Sequence, residues 1–242
     1  MRIIIVIQAR TNSTRLPQKV LLPLNGKTIL ERVIDRAKKA TLPDEVIIAT
    51  TTQPEDEAIY GLCQSINVKC YRGSANDVLD RYYQVGQAEK ADIIVRITSD
   101  CPLLDPQVLD QVVKAFLKYS NCDYASNTIF RTYPRGLDCE VISFQALAKA
   151  HSEASFPWER EHVTPYIYRH PQLFKLYSVI DKKNFMHPEL RFTVDTEEDY
   201  MFVRAIYHFL GNNLFYLKDV YELLDKQPWL AYINKSVSQK AL

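Results

Sequence analysis

A basic segment near the start of the chain holds the first residues suited to chemistry. The stretch QARTNSTRLPQK directly follows an apolar run and carries Arg10, Arg15 and Lys19 between small polar residues. Guanidinium and ammonium groups form charge-assisted hydrogen bonds to phosphate, and the Ser13 hydroxyl adds a further donor. A solvated basic loop is the alternative. The position of the basic segment directly after a buried strand favours a polyphosphate site, although the P-loop and dinucleotide glycine motifs are both absent.

Two aspartates follow later apolar runs. RITSDCPLLDP places Asp100 at the end of one run, and RFTVDTEEDY places Asp195 at the end of another. Carboxylates at two strand ends can hold a hard divalent cation such as Mg²⁺, whose remaining ligands include phosphate oxygens. Taken singly, each aspartate is also typical of a helix N-cap. Three cations together with two strand-end carboxylates favour a shared site.

The chain that positions these residues alternates apolar runs with helical patterns. Strands are predicted at 3–7, 45–50, 68–71 and 91–97, and helices at 28–39, 55–67, 77–89 and 105–119. This alternation predicts an α/β fold with a mostly parallel, doubly wound sheet. Ligands of such sheets bind beyond the carboxyl ends of the strands, which is where the basic segment and the aspartates fall.

The pattern changes after residue 124. DYASN, RGLDCEVIS and FKLYSVI predict short strands and QALAKAHSEA a helix, as expected of a small antiparallel insertion or a protruding arm. LRFTVDT predicts one more strand, and a long helix follows at 197–210. No linker or repeat divides the chain. We therefore expect a single domain over 1–242, with an insertion and dimerisation arm around 123–187.

Composition excludes several classes of function. With 242 residues and a net charge of +1, the chain has no overall field to attract nucleic acid or an anionic membrane. No run reaches the ~18 apolar residues of a membrane span, and the first apolar run is too short for a signal peptide. The five cysteines are odd in number and form no CxxC pair, which indicates reduced thiols in a cytoplasm.

Seven stretches in order resemble the spore coat polysaccharide biosynthesis protein F family. They are QARTNSTRLPQK, PLNGKTILERVIDRA, RGSANDVLDRYY, VRITSDCPLLDP, RGLDCEVIS, EREHVTPYIY and RFTVDTEEDY. That family is similar to the sugar-acid cytidylyltransferases, the CMP-sialate and CMP-Kdo synthetases, and the resemblance runs from Ile3 to about Tyr221. It implies a nucleotide-diphospho-sugar transferase fold of the glycosyltransferase-A type. It also implies CTP as the nucleotide, Mg²⁺ as the cofactor, and pyrophosphate as a product.

The resemblance also implies site residues. The nucleotide-binding residues that it implies in this chain are Arg10, Ser13, Arg15, Lys19, Ser74, Asp77 and Arg81. Its Mg²⁺ ligands are Asp100 and Asp195, which with Lys19 form the catalytic set. One departure is Gln18, which stands where relatives usually carry a glycine, and glycine permits backbone conformations that glutamine avoids.

Candidates for the sugar side come from the later motifs. They are Arg135, Asp138, Glu140, His162 and Arg191. A surface hairpin is the alternative for the first three, and a packed histidine is the alternative for His162. Arg191 could instead be an ion-pair partner of Asp195.

Three functions are open at this point. The leading one is an Mg²⁺-dependent cytidylyltransferase that activates a sugar acid for surface polysaccharide synthesis, as a cytoplasmic homodimer without a nucleic-acid partner. A glycosyltransferase on the same fold is the second, although SDCP offers one aspartate where a DxD motif is usual. The third is a protein that binds nucleotide without turnover.

Overall fold

Nine strands lie in the described residues of the computed structural model, which are 1–181, 187–211 and 214–239. In chain order they are β1 (Ile3–Gln8), β2 (Pro23–Leu24), β3 (Lys27–Thr28), β4 (Glu45–Thr51), β5 (Lys69–Gly73), β6 (Ile93–Thr98), β7 (Tyr124–Ser126), β8 (Glu140–Ser143) and β9 (Leu176–Ser178). Seven of them form one sheet in the order β5-β4-β1-β6-β8-β7-β9, and β2 and β3 form a short antiparallel ribbon. Within the large sheet only the β8 pairings, with β6 and β7, are antiparallel. The predicted mostly parallel sheet is confirmed.

Helices cover both faces of this sheet. They are α1 (Ile29–Ala37), α2 (Glu57–Ser65), α3 (Val78–Ala88), α4 (Pro106–Lys118), α5 (Phe144–Glu153), α6 (Pro157–His162), α7 (Pro165–Arg169), α8 (Glu197–Leu210) and α9 (Leu217–Lys226). Alternate residues of β1 enter different cores, with Ile5 in the core of α1 and α4 and Ile4 in the core of α3 and α5. A strand buried on both faces explains why this run is continuously apolar. None of the helices in the described parts of the chain combines the length and apolarity needed to cross a bilayer.

The predicted insertion extends the large sheet. Its strands β7, β8 and β9 continue the sheet beyond β6, and α5 and α7 add to the apolar core on the same face as α3. Residues 182–186 of the insertion lie outside the described residues.

The predicted strand at 190–196 is wrong. Arg191 forms one isolated bridge with Arg135, and the flanking residues are irregular. The amides of Phe192 and Val194 donate instead to the carbonyls of Arg135 and Asp100, at 2.7 and 2.8 Å. The apolar alternation that suggests a strand arises because Phe192 and Val194 both enter the third core, beneath α8 and α9.

Candidate functional site

A cavity of about 480 Å³ opens beyond the carboxyl ends of β1 and β6. Its lining includes the loop after β1, the turn after β6, the loop before β8 and the irregular segment that holds Thr193 and Asp195, with further residues from α3 and the end of α6. Six of its described lining residues are arginine or lysine and four are aspartate or glutamate. The cavity wall therefore carries a surplus of positive charge, as an anionic ligand requires.

The loop after β1 is held at both ends. At its start, the amide and hydroxyl of Thr11 both donate to Asp56 at 2.7 Å. Near its end, Gln18 has a φ of +55° and a ψ of 21°, the left-handed conformation that favours glycine. The glutamine thus adopts the backbone shape that a glycine would favour, at the cost of some strain. The loop keeps its tight shape and Lys19 begins a short 3-10 helix.

The Lys19 ammonium joins the two predicted metal ligands. Its Nζ donates to Asp100 Oδ2 at 2.6 Å, to Asp195 Oδ1 at 2.7 Å and to the Val194 carbonyl at 2.8 Å. Burial lowers the pKa of Lys19, but the charges of Asp100 and Asp195 outweigh burial and raise that pKa above its ordinary value. The ammonium is therefore charged at neutral pH.

Neither aspartate caps a helix. The N-cap of α4 is Asp105 and that of α8 is Thr196. Burial raises the pKa of Asp100, but the charge of Lys19 and the hydrogen bond from Lys19 outweigh burial. The pKa of Asp100 therefore lies below its ordinary value. Asp195 accepts a further hydrogen bond from Arg191 and forms an ion pair with Arg15 at 3.0 Å. Both carboxylates lie at the cavity wall.

Arg81 of α3 and Arg96 of β6 form one side of the cavity. Arg81 is 4% exposed, and its Nε and Nη1 atoms have no acceptor within the described residues. Arg96 pairs with Glu140, yet its Nε also lacks an acceptor there. Buried donors without acceptors are costly, so the wall is complementary to a ligand rich in acceptor oxygens.

A buried network supports Arg96 from below. Glu140 accepts hydrogen bonds from Arg96, from the Tyr124 hydroxyl and from the Thr164 hydroxyl, the last at 2.6 Å. With these three partners Glu140 lies beneath the cavity wall and is absent from the cavity lining. Glu140 was predicted to contact a sugar, but here it lies beneath the wall and neutralises the charge of Arg96.

His162 is held at the cavity by a strained turn. Val163, the next residue, has a φ of +72° and a ψ of −56°, and the Thr164 amide donates to the His162 carbonyl at 2.9 Å. This is the rare form of γ-turn, and a β-branched residue seldom adopts it. Burial lowers the pKa of His162, Glu161 opposes this effect, and Arg96 and Arg10 add to it. The imidazole is therefore predominantly neutral at pH 7.

Arg135 is held by a close approach of two backbones. A Cβ added to Gly136 would lie 2.5 Å from the backbone of Phe192 and Thr193, so a larger residue would force the two segments apart. Burial lowers the pKa of Arg135, and the neighbouring Arg131 lowers it further. Asp138, the nearest acid in sequence, is paired with Arg131 at 2.6 Å. The Arg135 charge therefore faces the cavity without an ion pair among the described residues.

The structure brings together most of the predicted site residues. Those that line the cavity are Arg10, Ser13, Arg15, Lys19, Arg81, Asp100, Arg135, Asp138, His162 and Asp195. Predicted residues that do not line it are Ser74, Asp77, Glu140 and Arg191. Asp77 caps α3 and pairs with Arg160, and Arg191 is buried between Asp195 and Asp199, the ion-pair arrangement that was its alternative role.

Several lining residues were not predicted from the sequence, among them Arg96 and Gln239. Arg96 lies inside a buried strand, and a single arginine among the apolar residues of VRI was the signal that could have marked it. Gln239 accepts a hydrogen bond from Arg191 at 2.6 Å, and nothing in its local sequence indicates that contact. Cys101 also lines the cavity, but burial raises the pKa of its thiol well above the ordinary value, which argues against a nucleophile.

The donor set at the strand ends is compatible with Mg²⁺. Among the described residues, no three or more His, Cys, Asp or Glu side chains are grouped to hold a metal. The Asp100 and Asp195 carboxylates nevertheless converge on one point, the Lys19 ammonium. Mg²⁺ commonly takes one or two protein carboxylates and completes its shell with water and phosphate oxygens, so two are sufficient.

The sequence matches a protein family and is similar to a known protein of that kind. A family model described as Cytidylyltransferase matches residues 4–235. The chain is 34% identical over 214 residues to the spore coat polysaccharide biosynthesis protein SpsF of Bacillus subtilis (strain 168), covering 86% of this chain and 88% of that protein.

Solved structures agree with the family match. A cytidylyltransferase from Leptospira borgpetersenii serovar Hardjo-bovis (strain JB197) is 33% identical, covers 100% of both chains and has a TM-score of 0.91. A CMP:2-keto-3-deoxy-manno-octonic acid synthetase complexed with CTP is 19% identical, covers 86% of this chain and 99% of the other, and has a TM-score of 0.65. The second likeness supports the fold alone. The chain belongs to the cytidylyltransferase family and is a nucleotidyltransferase.

Proposed function

We propose that this enzyme transfers CMP from CTP to a hydroxyl group of a sugar acid and releases pyrophosphate, for surface polysaccharide synthesis. The observation that carries the proposal is the cavity at the strand ends, where surplus cations and unmatched buried donors surround two aspartates. CTP fits the family match and is the nucleotide named for the solved CMP:2-keto-3-deoxy-manno-octonic acid synthetase complex.

The loop after β1 binds the triphosphate in this proposal. Arg10 and Arg15 supply guanidinium donors, and Ser13 supplies a hydroxyl group. Arg81 and Arg96 supply three buried nitrogen donors, Arg81 Nε and Nη1 and Arg96 Nε, that lack acceptors within the described residues. Such preorganised donors stabilise the charge that spreads over the phosphates during in-line displacement, so catalysis depends mainly on positioning and electrostatics.

Mg²⁺ would be held by Asp100 and Asp195. When bound, the ion supplies a Lewis acid that stabilises negative charge on phosphate oxygens. Lys19 and Arg15 orient the two carboxylates at the cavity wall. The acceptor hydroxyl loses its proton as its oxygen bonds to the α-phosphorus, and the cavity offers carboxylates and the neutral His162 imidazole as proton acceptors.

A sugar acid is the acceptor class that best matches the wall opposite the loop. Arg135 faces the cavity without an ion pair among the described residues, while Asp138 is already paired with Arg131. A carboxylate is the natural complement of a partly buried guanidinium, because it accepts two parallel hydrogen bonds. Ser74 and Asp77 remain proposed contacts for the nucleoside from the family resemblance alone.

We also propose a homodimer formed through the insertion, and a cytoplasmic location. β9 is an edge strand of the sheet, and beside it Phe130, whose amide donates to Ser178 Oγ at 3.1 Å, is 61% exposed. An edge strand with exposed aromatic surface favours a symmetric contact with a second copy. The cytoplasmic location rests on the five cysteines, which are all free thiols. Light scattering at micromolar concentration should give twice the chain mass, and a monomeric mass would contradict the dimer.

Pyrophosphate release tests the catalytic proposal. Purified enzyme with Mg²⁺ is incubated with each of the four ribonucleoside triphosphates and a panel of sugar acids and neutral sugars. We expect pyrophosphate only when CTP and a sugar acid are both present. Release of a nucleoside diphosphate from nucleotide-sugars instead would indicate a glycosyltransferase. Binding of CTP without any turnover across the panel would indicate a binding protein.

A further inference from the structure

The Lys19 ammonium has no donor left for a ligand. An ammonium group carries three N–H donors, and Lys19 uses them on Asp100, Asp195 and the Val194 carbonyl, at 2.6, 2.7 and 2.8 Å. Lys19 is only 9% exposed, so water has little access to compete for these bonds. A lysine in this state cannot bind a phosphate oxygen unless it first gives up one of these acceptors.

The same ammonium occupies the point on which both carboxylates converge. A divalent ion bound by Asp100 and Asp195 needs oxygen atoms that Lys19 now takes as acceptors. Asp195 also pairs with Arg15 and Arg191, and Arg191 pairs in turn with Asp199, so three cationic side chains already balance three carboxylates. Adding a divalent ion to this cluster places like charges close together in a partly buried site, which is unfavourable.

A triphosphate removes both obstacles. Its oxygens offer new acceptors to Lys19 at the cavity that Lys19 already lines, and its negative charge offsets the added metal ion. Lys19 can reach this cavity by side-chain rotation, because it lies in the 3-10 helix directly after the loop and outside the large sheet.

We propose that Lys19 is the internal counter-ion of Asp100 and Asp195 in the nucleotide-free enzyme, and that it must leave this pair before a divalent ion can bind. Metal therefore enters with the nucleotide and not before it. This inference rests on the proposed function, since it takes the two aspartates as the metal ligands. Lys19 acts here as a positioning residue, because it holds the two carboxylates together until phosphate oxygens draw it away.

Binding of Mn²⁺ to the nucleotide-free protein tests the inference without any turnover. Free Mn²⁺ is counted by electron paramagnetic resonance in titrations of the wild type, Lys19→Met and Lys27→Met. Lys27 is a matched control, because it pairs with Asp35 at 2.6 Å on the exposed ribbon, outside the described cavity lining. We expect Lys19→Met to bind Mn²⁺ at least about tenfold more tightly than the wild type, about 1.4 kcal/mol. Lys27→Met should match the wild type.

A second variant and a second readout address folding. Adding Asp100→Asn to Lys19→Met should abolish the gain in Mn²⁺ affinity. Mn²⁺ should also raise the melting temperature of Lys19→Met more than that of the wild type, because a ligand that binds only the folded state stabilises it. If Lys19→Met folds only with Mn²⁺ present, that result supports the same competition.

Two results would overturn the inference: equal Mn²⁺ affinity in Lys19→Met and the wild type, or tight binding by the nucleotide-free wild type. Its failure is separable from failure of the proposed function. Wild-type pyrophosphate release with CTP tests the function alone, so an active wild type with no gain in Lys19→Met would refute only the competition. A gain in Lys19→Met with an inactive wild type would refute only the function.

Discussion

Two clusters of charged side chains lie at opposite ends of the same sheet. The amino-end cluster consists of Arg2, Glu45, Lys69, Tyr71 and Glu89. The carboxyl-end cluster consists of Arg15, Lys19, Asp100, Arg191, Asp195 and Asp199. The two are built from the same kinds of contact, at distances between 2.5 and 3.1 Å apart from the shorter bond from Arg2 to Glu89.

The cavity beside one of them separates the two clusters. At the amino end, Glu45 and Glu89 face Arg2 and Lys69, so two acids meet two bases. At the carboxyl end the ion pairs are balanced as well, but the cavity beside them is lined by six arginine or lysine residues and only four aspartate or glutamate residues. A balanced ion-pair network is therefore weak information about function, whereas surplus positive charge along a cavity wall indicates an anionic ligand.

Replacing either strand-end aspartate should have the largest effect. Asp100→Asn and Asp195→Asn keep the size of the side chain but remove an anionic metal ligand, so we expect turnover to fall by about 100-fold or more, ~3 kcal/mol. Circular dichroism should report an intact fold. Turnover within a factor of two of the wild type in both variants would show that the carboxyl-end cluster is as structural as the amino-end one.

Removing a loop cation should have the next largest effect. Arg15→Ala loses a charge-assisted contact to phosphate, so CTP affinity measured by calorimetry should weaken by about 1.5–3 kcal/mol. Lys27→Ala is the control, since it removes a cation of similar exposure from a surface ion pair, and it should leave the affinity unchanged. An equal loss in both variants would mean that the effect is one of overall charge.

Glu89→Gln should affect stability alone. Burial raises the pKa of Glu89, but hydrogen bonds from Tyr71 and Lys69 and the charges of Lys69 and Arg2 outweigh it and leave the pKa below its ordinary value. We expect a loss of about 1–3 kcal/mol in the free energy of unfolding at pH 7, with turnover per folded molecule unchanged.

The lowered pKa of Glu89 also predicts how the stability loss in Glu89→Gln depends on pH. A carboxyl group whose pKa is lower in the folded state stabilises the fold above its unfolded pKa, which is near 4.3 for glutamate. That contribution is lost as the pH falls through the folded pKa. Urea unfolding at pH 7 and about pH 3.5 should therefore show a smaller difference between wild type and Glu89→Gln at the lower pH. A constant difference would contradict this assignment.

Replacing Gln18 should have the smallest effect. Gln18→Gly relieves the cost of a left-handed residue but increases the entropy of the unfolded chain, so the free energy of unfolding should change by less than about 1 kcal/mol. CTP affinity should be retained, because the loop already has the shape that a glycine would give it. A large loss of affinity would mean that the Gln18 side chain itself contributes to the site.

How far sequence predicts this molecule depends on the range of the interactions. Apart from the short β2–β3 ribbon, the strands and helices before residue 120 follow from local periodicity, which dihedral preferences and a two-sided core impose. Phe192 and Val194 mislead because apolar alternation also suits an irregular segment that packs under a helix. The site follows the same division.

Position after a strand was enough to predict that Asp100 and the loop cations lie at the cavity, whereas Asp195 reaches it from an irregular segment that was wrongly predicted to be a strand. The ion pair between Arg96 and Glu140 could not be predicted, since their pairing joins residues 44 positions apart through a buried network. The full use of the Lys19 donors was equally hidden, because its partners come from three separate segments. Pairings of this kind depend on the folded arrangement and leave no local pattern.

The Mg²⁺ dependence of CTP affinity tests the account most directly. Calorimetric titration of CTP into the wild type, Asp100→Asn and Asp195→Asn is performed with and without Mg²⁺. If the two carboxylates hold the ion together with the phosphates, Mg²⁺ should tighten CTP binding to the wild type and lose most of that effect in each variant. Wild-type Mg²⁺ dependence in both variants would contradict the two-carboxylate site.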